Sequence, residues 1–554
     1  MIIFRKSVSI FVFLIIFTES YSQKKSNFYG SFESTGIYYQ ENEVDNYNEE
    51  FASNNYLNLK YIFNSNWSFE AQIESYSPVR LQGYSDSFEK THLSTLSINY
   101  KKNGFGFTFG SIYEQFGTGL SLRTWEDREL GINNSILGMR STYENDRVTI
   151  KFVGGWQKKG RQISVGKVLG LDSEFTLLDS DETYQNLIIG LSYVGRFENL
   201  AFPNIFPPVG YEFNDLTNLF SGRMDYAKND FYFAYEQIYK TEDGITQFGL
   251  ILNDFVKKGS AHTMNIGIAK SGFGFDFTFR RLENMGFYGD RFEQGELYGE
   301  STINYLPALT KQHDYLLTNI NIYESQPYVS FPDPSLMKAG EIGFQMDLYY
   351  DIEEGTFFGG KYGTSLSLNL SSWNNLDGKY SYNPLDYETN FLGFGQKYFS
   401  EQSLELRKKW SDNFSNIFLF LNKYYNKRYV AEKFGEINSQ VLVVDNTIKL
   451  KNKKSLRLEA QHLFNKDDMK NWYGFGVEYN FNYNFSGYYN TIVNYQNTDD
   501  GKPQYYSFGA SYSKNSSRFS VSYGKQRGGL LCYGGICRYV PEFKGLSFSI
   551  NTSF

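Results

Sequence analysis

The feature that most limits what this chain can fold into is a two-residue alternation that recurs from end to end. In YLNLKYIF, Leu57, Leu59, Tyr61 and Phe63 share one face of an extended strand, with Asn58 and Lys60 on the other. After Asn64-Ser65-Asn66 the pattern resumes in WSFEAQIES, where Trp67, Phe69, Ala71 and Ile73 alternate with Ser68, Glu70, Gln72 and Glu74. Side chains on a strand point alternately to its two faces, so two such runs around a short polar turn read as a β-hairpin. RVTIKFVGGWQ repeats it, with Val148, Ile150, Phe152 and Trp156 opposite Arg147, Thr149, Lys151 and Gln157. So does YGFGVEYNF, where Tyr473, Phe475, Val477, Tyr479 and Phe481 oppose Gly474, Gly476, Glu478 and Asn480. Near the end, Tyr506, Phe508, Ala510 and Tyr512 pair across a Lys514–Ser517 turn with Phe519, Val521 and Tyr523. Helical signals are nearly absent.

Roughly two dozen such segments are legible, most of them about 9–13 residues long, which is what a tilted strand needs to cross a bilayer. Soluble sandwiches alternate too, but with strands of about five or six residues and a core rich in Val, Leu and Ile. Here the apolar face is loaded with aromatics (51 Phe, 47 Tyr and 6 Trp), often near segment ends, as in the girdles at the two membrane interfaces. The opposite face mixes Ser, Asn, Gly, Glu, Lys and Arg, which suits a wet lumen. We therefore expect an all-β fold: one large single-chain antiparallel transmembrane β-barrel of about 24 strands (roughly 22–26), with both termini on the periplasmic side.

The chain opens MIIFRKSVSIFVFLIIFTESYSQ: Arg5 and Lys6, an apolar stretch from Val8 to Phe17, then small residues at Ser20 and Ser22. This reads as a signal peptide over residues 1–22, cleaved before Gln23, with the barrel over 23–554 and the cell outer membrane as destination. No Cys follows the apolar stretch, so no lipoprotein anchor is expected. Strands begin soon after Gln23, in NFYGSFESTGIYYQ, so no separate plug domain of the TonB-dependent type is expected. No later apolar run is long enough for a helical span. The 54 basic and 61 acidic residues form no basic stripe, which leaves no case for nucleic acid. Acidic stretches such as Glu41-Asn42-Glu43-Val44-Asp45 read as solvated loops.

Turn lengths divide by side. Asn64–Asn66, Lys101–Gly104, Glu144–Arg147 and Lys514–Ser517 are short, as at a periplasmic rim, whereas Gln40–Asn54, Ser77–Lys90 and Lys158–Thr183 read as long external links. The scheme breaks between Ser271 and Leu316, where it places the long link Glu283–Lys311 at the periplasmic rim.

The last ten residues, GLSFSINTSF, have the form of a closing strand that pairs with the first and removes the sheet's edges. Leu546, Phe548 and Ile550 would face lipid and Phe554 the periplasmic interface. The stretch resembles the C-terminal signal read by the barrel assembly machinery, an expected partner during insertion.

Two internal features stand out. The only cysteines, Cys532 and Cys537, flank Gly534-Gly535, a pair suited to a tight turn. In an oxidising compartment they are expected to form a disulfide on the external side, with a modest gain because the loop is small. The segment Glu114–Asn134 (EQFGTGLSLRTWEDRELGINN) departs from alternation and crowds Arg123, Trp125, Glu126, Asp127, Arg128 and Glu129 together. It reads either as a solvated loop with internal ion pairs or as a loop folded into the lumen, narrowing or plugging it, since a barrel this wide would otherwise leak.

Enzymatic chemistry finds little support. His92, His262, His313 and His462 are scattered, with no HExxH and no second ligand at metal spacing. There is no GxSxG motif. The adjacent His313-Asp314 pair carries no triad, and GFGFTFG (Gly104–Gly110) has strand rather than nucleotide-loop spacing. No enzyme, cofactor or metal is expected.

Three stretches carry a family likeness: GSIYEQFGTGLSLRTWEDRELGINNSILGMR, GGKYGTSLSLNLSSW (Gly359–Trp373) and RGGLLCYGGICRYVPEFKGLSFSINTSF. They resemble an uncharacterised family of Bacteroidota outer-membrane barrels, a domain of unknown function, over most of the mature chain. The Cys532, Gly534, Gly535, Cys537, Arg538 pattern is its most specific element. The resemblance implies an outer-membrane β-barrel and no known substrate. Two functions stay open: a porin-like channel or passive transporter with a lumen-folded loop, or a non-catalytic structural or assembly component that docks other outer-membrane or secretion proteins.

Overall fold

The alternating segments do become strands. The computed structural model describes residues 27–42, 49–180, 184–199, 214–247, 250–291, 301–467, 469–497, 502–533 and 536–554. The expected signal peptide, Gly534-Gly535 and Glu43-Val44-Asp45 lie outside them. Wall strands β1 (Phe28–Asn42), β2 (Phe51–Ile62), β3 (Trp67–Tyr76), β4 (Lys90–Lys102) and β5 (Phe105–Ile112) come first. Four two-residue strands follow in the next link, β6 (Gln115–Phe116), β7 (Leu122–Arg123), β8 (Glu126–Asp127) and β9 (Ile132–Asn133), and pair only with one another.

The wall resumes with β10 (Ile136–Glu144), β11 (Val148–Lys159), β12 (Gln162–Ser180), β13 (Gln185–Phe197), β14 (Leu216–Lys228) and β15 (Phe231–Gln247). Next come β16 (Leu250–Lys270), β17 (Phe273–Glu283), β18 (Gly340–Ile352), β19 (Thr364–Tyr382), β20 (Leu385–Ser411) and β21 (Phe414–Asn426). It ends with β22 (Glu436–Lys449), β23 (Ser455–Asn465), β24 (Trp472–Asn480), β25 (Phe485–Asn494), β26 (Gln504–Lys514), β27 (Ser517–Gln526) and β30 (Phe543–Ser553). A separate hairpin of β28 (Gly529–Tyr533) and β29 (Ile536–Val540) precedes the last strand. Among the described residues the sheet has 24 strands, all antiparallel to their neighbours in the chain.

The sheet closes where β1 meets β30, in the register Phe32↔Thr552, Gly36↔Phe548 and Tyr38↔Leu546. Closure satisfies both edges, which an open sheet in lipid could not do. Two glycines of β1 make the seam tight: the Phe554 ring lies over Gly30 and the Phe548 ring over Gly36, where a Cβ would collide with either ring. Phe548 also stacks on Phe51 at 5.7 Å between ring centroids.

The outward face is apolar in the manner the alternation requires. Along β12, Ile163, Val165, Leu169, Leu171 and Leu177 are exposed, Val165 by 61%, while Ser164, Val168 and Asp172 between them are buried. Leu546 and Phe554 are exposed on the same outer face. Such a continuous apolar belt would not be left in water and marks a membrane-facing surface.

Antiparallel order puts successive links at opposite ends. One end carries the short links, among them 63–66, 103–104, 145–147, 229–230, 271–272, 412–413 and 515–516. The other carries 77–89, 113–135 and 284–339. This corrects two sequence expectations. Lys158–Thr183 is not a loop: its described residues, 158–180, are the end of β11, the hairpin tip 160–161 and the whole of β12. Omitting that crossing inverts the assigned side of later links and so places the link after Glu283 at the wrong rim. It belongs with the long links and runs on to Ala339.

The lumen is also drier than its mixed composition suggests. Nine consecutive wall strands, β5 and β10 to β17, each turn one apolar residue inward: Ile112, Ile136, Val153, Val168, Val194, Leu219, Ile238, Ala261 and Leu282, all fully buried. What covers them comes from two links: Phe116, Leu120 and Leu122 from 113–135, and Met285, Phe287, Ile303 and Leu306 from 284–339. A second cluster sets Tyr315, Leu317 and Ile320 on Leu419, Leu421, Val441, Val443, Leu463, Trp472 and Ile492 of the facing wall.

Candidate functional site: loops folded into the lumen

Residues 113–135 leave the wall after β5 because the alternation stops there and Gly117, Gly119 and Gly131 take positive φ, which lets the chain turn inward. The segment then bridges the lumen. On one side Arg128 donates to Glu33 of β1 at 2.6 Å and to Asn58 of β2 at 3.1 Å, and lies over the Tyr56 ring. Gln72 of β3 donates to Glu126 Oε1 at 2.6 Å, and Asn133 donates to Glu74 at 3.2 Å. On the other side the Thr118 backbone and hydroxyl both donate to Glu236 of β15, at 3.1 and 2.5 Å. At its base Glu114 is held by Arg140 at 2.8 Å and Lys151 at 3.3 Å.

The clustered residues singled out in the sequence are thus brought together, each with a partner. Arg123 lies 3.8 Å from the Tyr305 ring, against which Trp125 packs edge-on. Asp127 accepts from the Leu130 backbone N–H at 2.8 Å, and Arg128 donates to Glu126 at 3.0 Å. The Glu129 carbonyl accepts from Arg538 of β29 at 2.6 Å. Burial disfavours the Arg128 charge, yet Glu126 and Glu33 more than offset it and hold its pKa above the usual arginine value.

Glu74 is the hub beneath this loop. Its side chain is 1% exposed and meets the Tyr76 hydroxyl at 2.7 Å, Lys158 at 3.3 Å and Asn133, with Ser94 also donating to it. A buried carboxylate is tolerable only when its lone pairs are met in this way.

The two-residue alternation does not mark the second link, 284–339, as a lumen element. It lies against 113–135, with Arg123 N–H donating to the Ile303 carbonyl and Tyr305 N–H to the Gly119 carbonyl, both at 2.9 Å. It then follows the inner wall round. Lys240 donates to the Gly286 carbonyl at 3.0 Å, and Glu341 of β18 accepts from Tyr323 at 2.6 Å and from the Gln326 N–H at 2.8 Å. Trp373 donates to the Leu309 carbonyl at 2.9 Å, Lys423 to the Thr318 carbonyl at 2.9 Å, and the Leu317 N–H to Gln461 at 2.9 Å. Arg280 completes the Glu341 site at 2.6 Å. Burial shapes two titratable groups of this link. It pulls His313 down to about 4, helped by Lys423, and Lys338 down to about 8, against Glu432 and Glu324. A sequence signal for the link existed: four of the 11 prolines, Pro307, Pro327, Pro332 and Pro334, fall within it.

The histidines do not converge. His92 sits 3.7 Å from Glu74, His262 meets Tyr235 at 3.0 Å, His462 meets Tyr495 at 3.1 Å, and His313 lies 3.8 Å from Glu401. Among the described residues no three His, Cys, Asp or Glu gather as metal ligands would. Cys532 and Cys537 are register partners in the β28–β29 hairpin.

Together these features define a large outer-membrane-type β-barrel whose own links pack into its lumen. The chain belongs to the Family of unknown function (DUF6029), whose model matches residues 4–554. Comparison with curated proteins finds no match. Among solved structures, the siderophore receptor PirA from Pseudomonas aeruginosa is similar at 10% identity and a TM-score of 0.42, over 96% of this chain and 81% of that one. PirA from Acinetobacter baumannii is similar at 7% identity and a TM-score of 0.43, over 96% and 81%. The translocation pore of the P pilus usher PapC is similar at 9% identity and a TM-score of 0.42, over 95% and 99%.

Proposed function

We propose that this protein is an outer-membrane channel or passive transporter whose conducting path is governed by its own loops. It would reach the outer membrane through a cleaved signal peptide and the barrel assembly machinery, with the long links outside the cell and the short links in the periplasm. The observation that carries this reading is the bridge made by 113–135, tied to Glu33 and Asn58 on one sector of the wall and to Glu236 on another. A loop that only decorated an outer rim would have no reason to bury Phe116 and Leu122 against inward-facing wall residues. Each such apolar side chain contributes roughly 1.5–3 kcal/mol, so the seated state is well populated and release needs a trigger. The test is solute flux: purified protein in liposomes should swell slowly in permeant solute, and deletion of Arg123–Leu130 should accelerate swelling. Absence of flux in both proteins would sink the channel reading.

A second reading, a docking or assembly component, is favoured by Phe357 and Phe358. They are 95% and 72% exposed in the link 353–363 at the short-link end, where a partner protein could cover them. Copurification of a stoichiometric partner in gentle detergent, lost on Phe357→Ser with Phe358→Ser, would support that reading. We further infer that Cys532 and Cys537 form a disulfide that holds Arg538 in place. From there Arg538 reaches the Glu129 carbonyl and, at 2.9 Å, the Gly83 carbonyl.

A further inference from the structure

Below the second link, toward the short-link end, lies a cavity of about 590 Å3 between residues 311–315 and the inner wall, within the range of ordinary ligand pockets. Six of its seven charged groups are arranged in pairs, and the seventh, Asp314, is exposed. Arg457 of β23 grips Asp445 of β22 with Nε at 3.0 Å and Nη2 at 2.8 Å. Arg407 donates to Glu405 at 2.5 Å, and Lys311 lies 3.4 Å from Asp347. Asp347 also accepts from Asn369 at 3.0 Å and Gln345 at 2.8 Å. The same lining includes Ser365, Ser367, Thr447, Tyr315 and Tyr349.

This pattern is selective. A charged ligand would have to break an ion pair to be bound at any of the three pairs, and an anion would meet the Asp314 carboxylate as well. An uncharged polyol avoids that conflict, since each hydroxyl can donate to a carboxylate and accept from the neighbouring guanidinium while the pair stays intact. The exposed Tyr349 ring beside the pairs offers a face for the C–H side of a sugar ring. His313 adds no charge at neutral pH, being buried against Lys423 and Lys311.

We propose that this cavity binds a neutral, hydroxyl-rich ligand, a short oligosaccharide, on the underside of the loop plug. The proposal goes beyond the channel reading and rests on it only for the ligand's route in, because binding at the site can be measured without flux.

The experiment is calorimetric titration of the full-length protein in detergent with maltotriose, glucuronate and glucosamine. Ser367→Trp, which fills the cavity, and Arg407→Gln, whose side chain is largely exposed, serve as variants, with folding checked by resistance of the barrel to unfolding in SDS at room temperature. The expected result is saturable binding of maltotriose, weakened about tenfold or more in both variants, in line with loss of a charge-assisted hydrogen bond, and weaker binding of both charged sugars. No saturable binding of maltotriose, equal or tighter binding of a charged sugar, or folded variants with unchanged affinity would overturn it. Flux through the Arg123–Leu130 deletion without saccharide binding would sink this site alone, and binding without flux would sink the channel reading alone.

Discussion

Arg128, in the link between β5 and β10, donates to Glu33 of β1 at 2.6 Å and so ties the lumen loop to the strand that closes the barrel. Its side chain is 19% exposed and Glu33 is 34% exposed, so the contact is shielded from solvent more than a surface pair, whose worth is small. Arg128→Met removes the donor to Glu33, Asn58 and Glu126 at once. A loss of roughly 1.5–3 kcal/mol per charged hydrogen bond is the upper range. Limited proteolysis should then cut within 113–135 several times faster than in wild type, with the barrel intact. An unchanged cleavage pattern would remove Arg128 from the tether.

The Glu341 site anchors the second link more deeply. Arg280 and Glu341 are 2% and 0% exposed, and Tyr323 and the Gln326 N–H depend on the same carboxylate. Glu341→Leu alone strands a buried guanidinium and should cost about 3–5 kcal/mol in urea unfolding, whereas pairing it with Arg280→Met should recover a large part. Additive losses in the double variant would contradict that coupling.

Acid should loosen the plug through His313. Seated, it is held near 4 by burial and Lys423; released into water it would return toward about 6.5. The released state therefore binds more protons between those values. Seating is firmest above about pH 6.5 and weakens as pH falls toward 4, by at most roughly 3 kcal/mol. Channel opening measured from pH 7.5 down to 4.5 should rise across that window, and His313→Gln should flatten the rise. Glu401, Lys423, Lys311 and Asp347 surround the ring, so a variant that keeps the full pH response would assign it to them.

Much of the architecture was legible because its signal is redundant: any one alternating segment is weak, but two dozen in series fix a barrel, as the exposed outer faces of β12 and β30 illustrate. The lumen loop at Glu114–Asn134 was legible because it breaks that period. The dry interior was not, and the reason is specific. Where a wall strand is apolar on both faces the alternation vanishes, as in Phe418-Leu419-Phe420-Leu421 and Val441-Leu442-Val443-Val444. There Phe418, Phe420 and Leu442 face outward and Leu419, Leu421, Val441 and Val443 are buried inside. Continuous apolar runs mark strands covered on both sides, and these two point to the wall under the second link.

The seam offers its own test. The rings of Phe548 and Phe554 fill the space over Gly36 and Gly30, so Gly36→Val should drive Phe548 off β1 and lower the temperature at which the barrel loses its compact mobility in SDS. Phe554→Ser should slow membrane insertion. Wild-type membrane levels of the latter would separate Phe554 from any targeting role.

The hairpin of β28 and β29 predicts a simple mass. Cys532 and Cys537 stand opposite in register, and non-reducing mass spectrometry should find them joined, with a modest effect on unfolding because the closed loop is short. Two free thiols in protein recovered from the outer membrane would refute the bond.

The central claim, that the links filling the lumen govern a conducting path, is tested most directly by single-channel recording in planar bilayers. Wild-type protein should show rare, brief openings, and the Arg123–Leu130 deletion large, long-lived ones at the same protein density. Equal conductance in the two, whether high or absent, would contradict it.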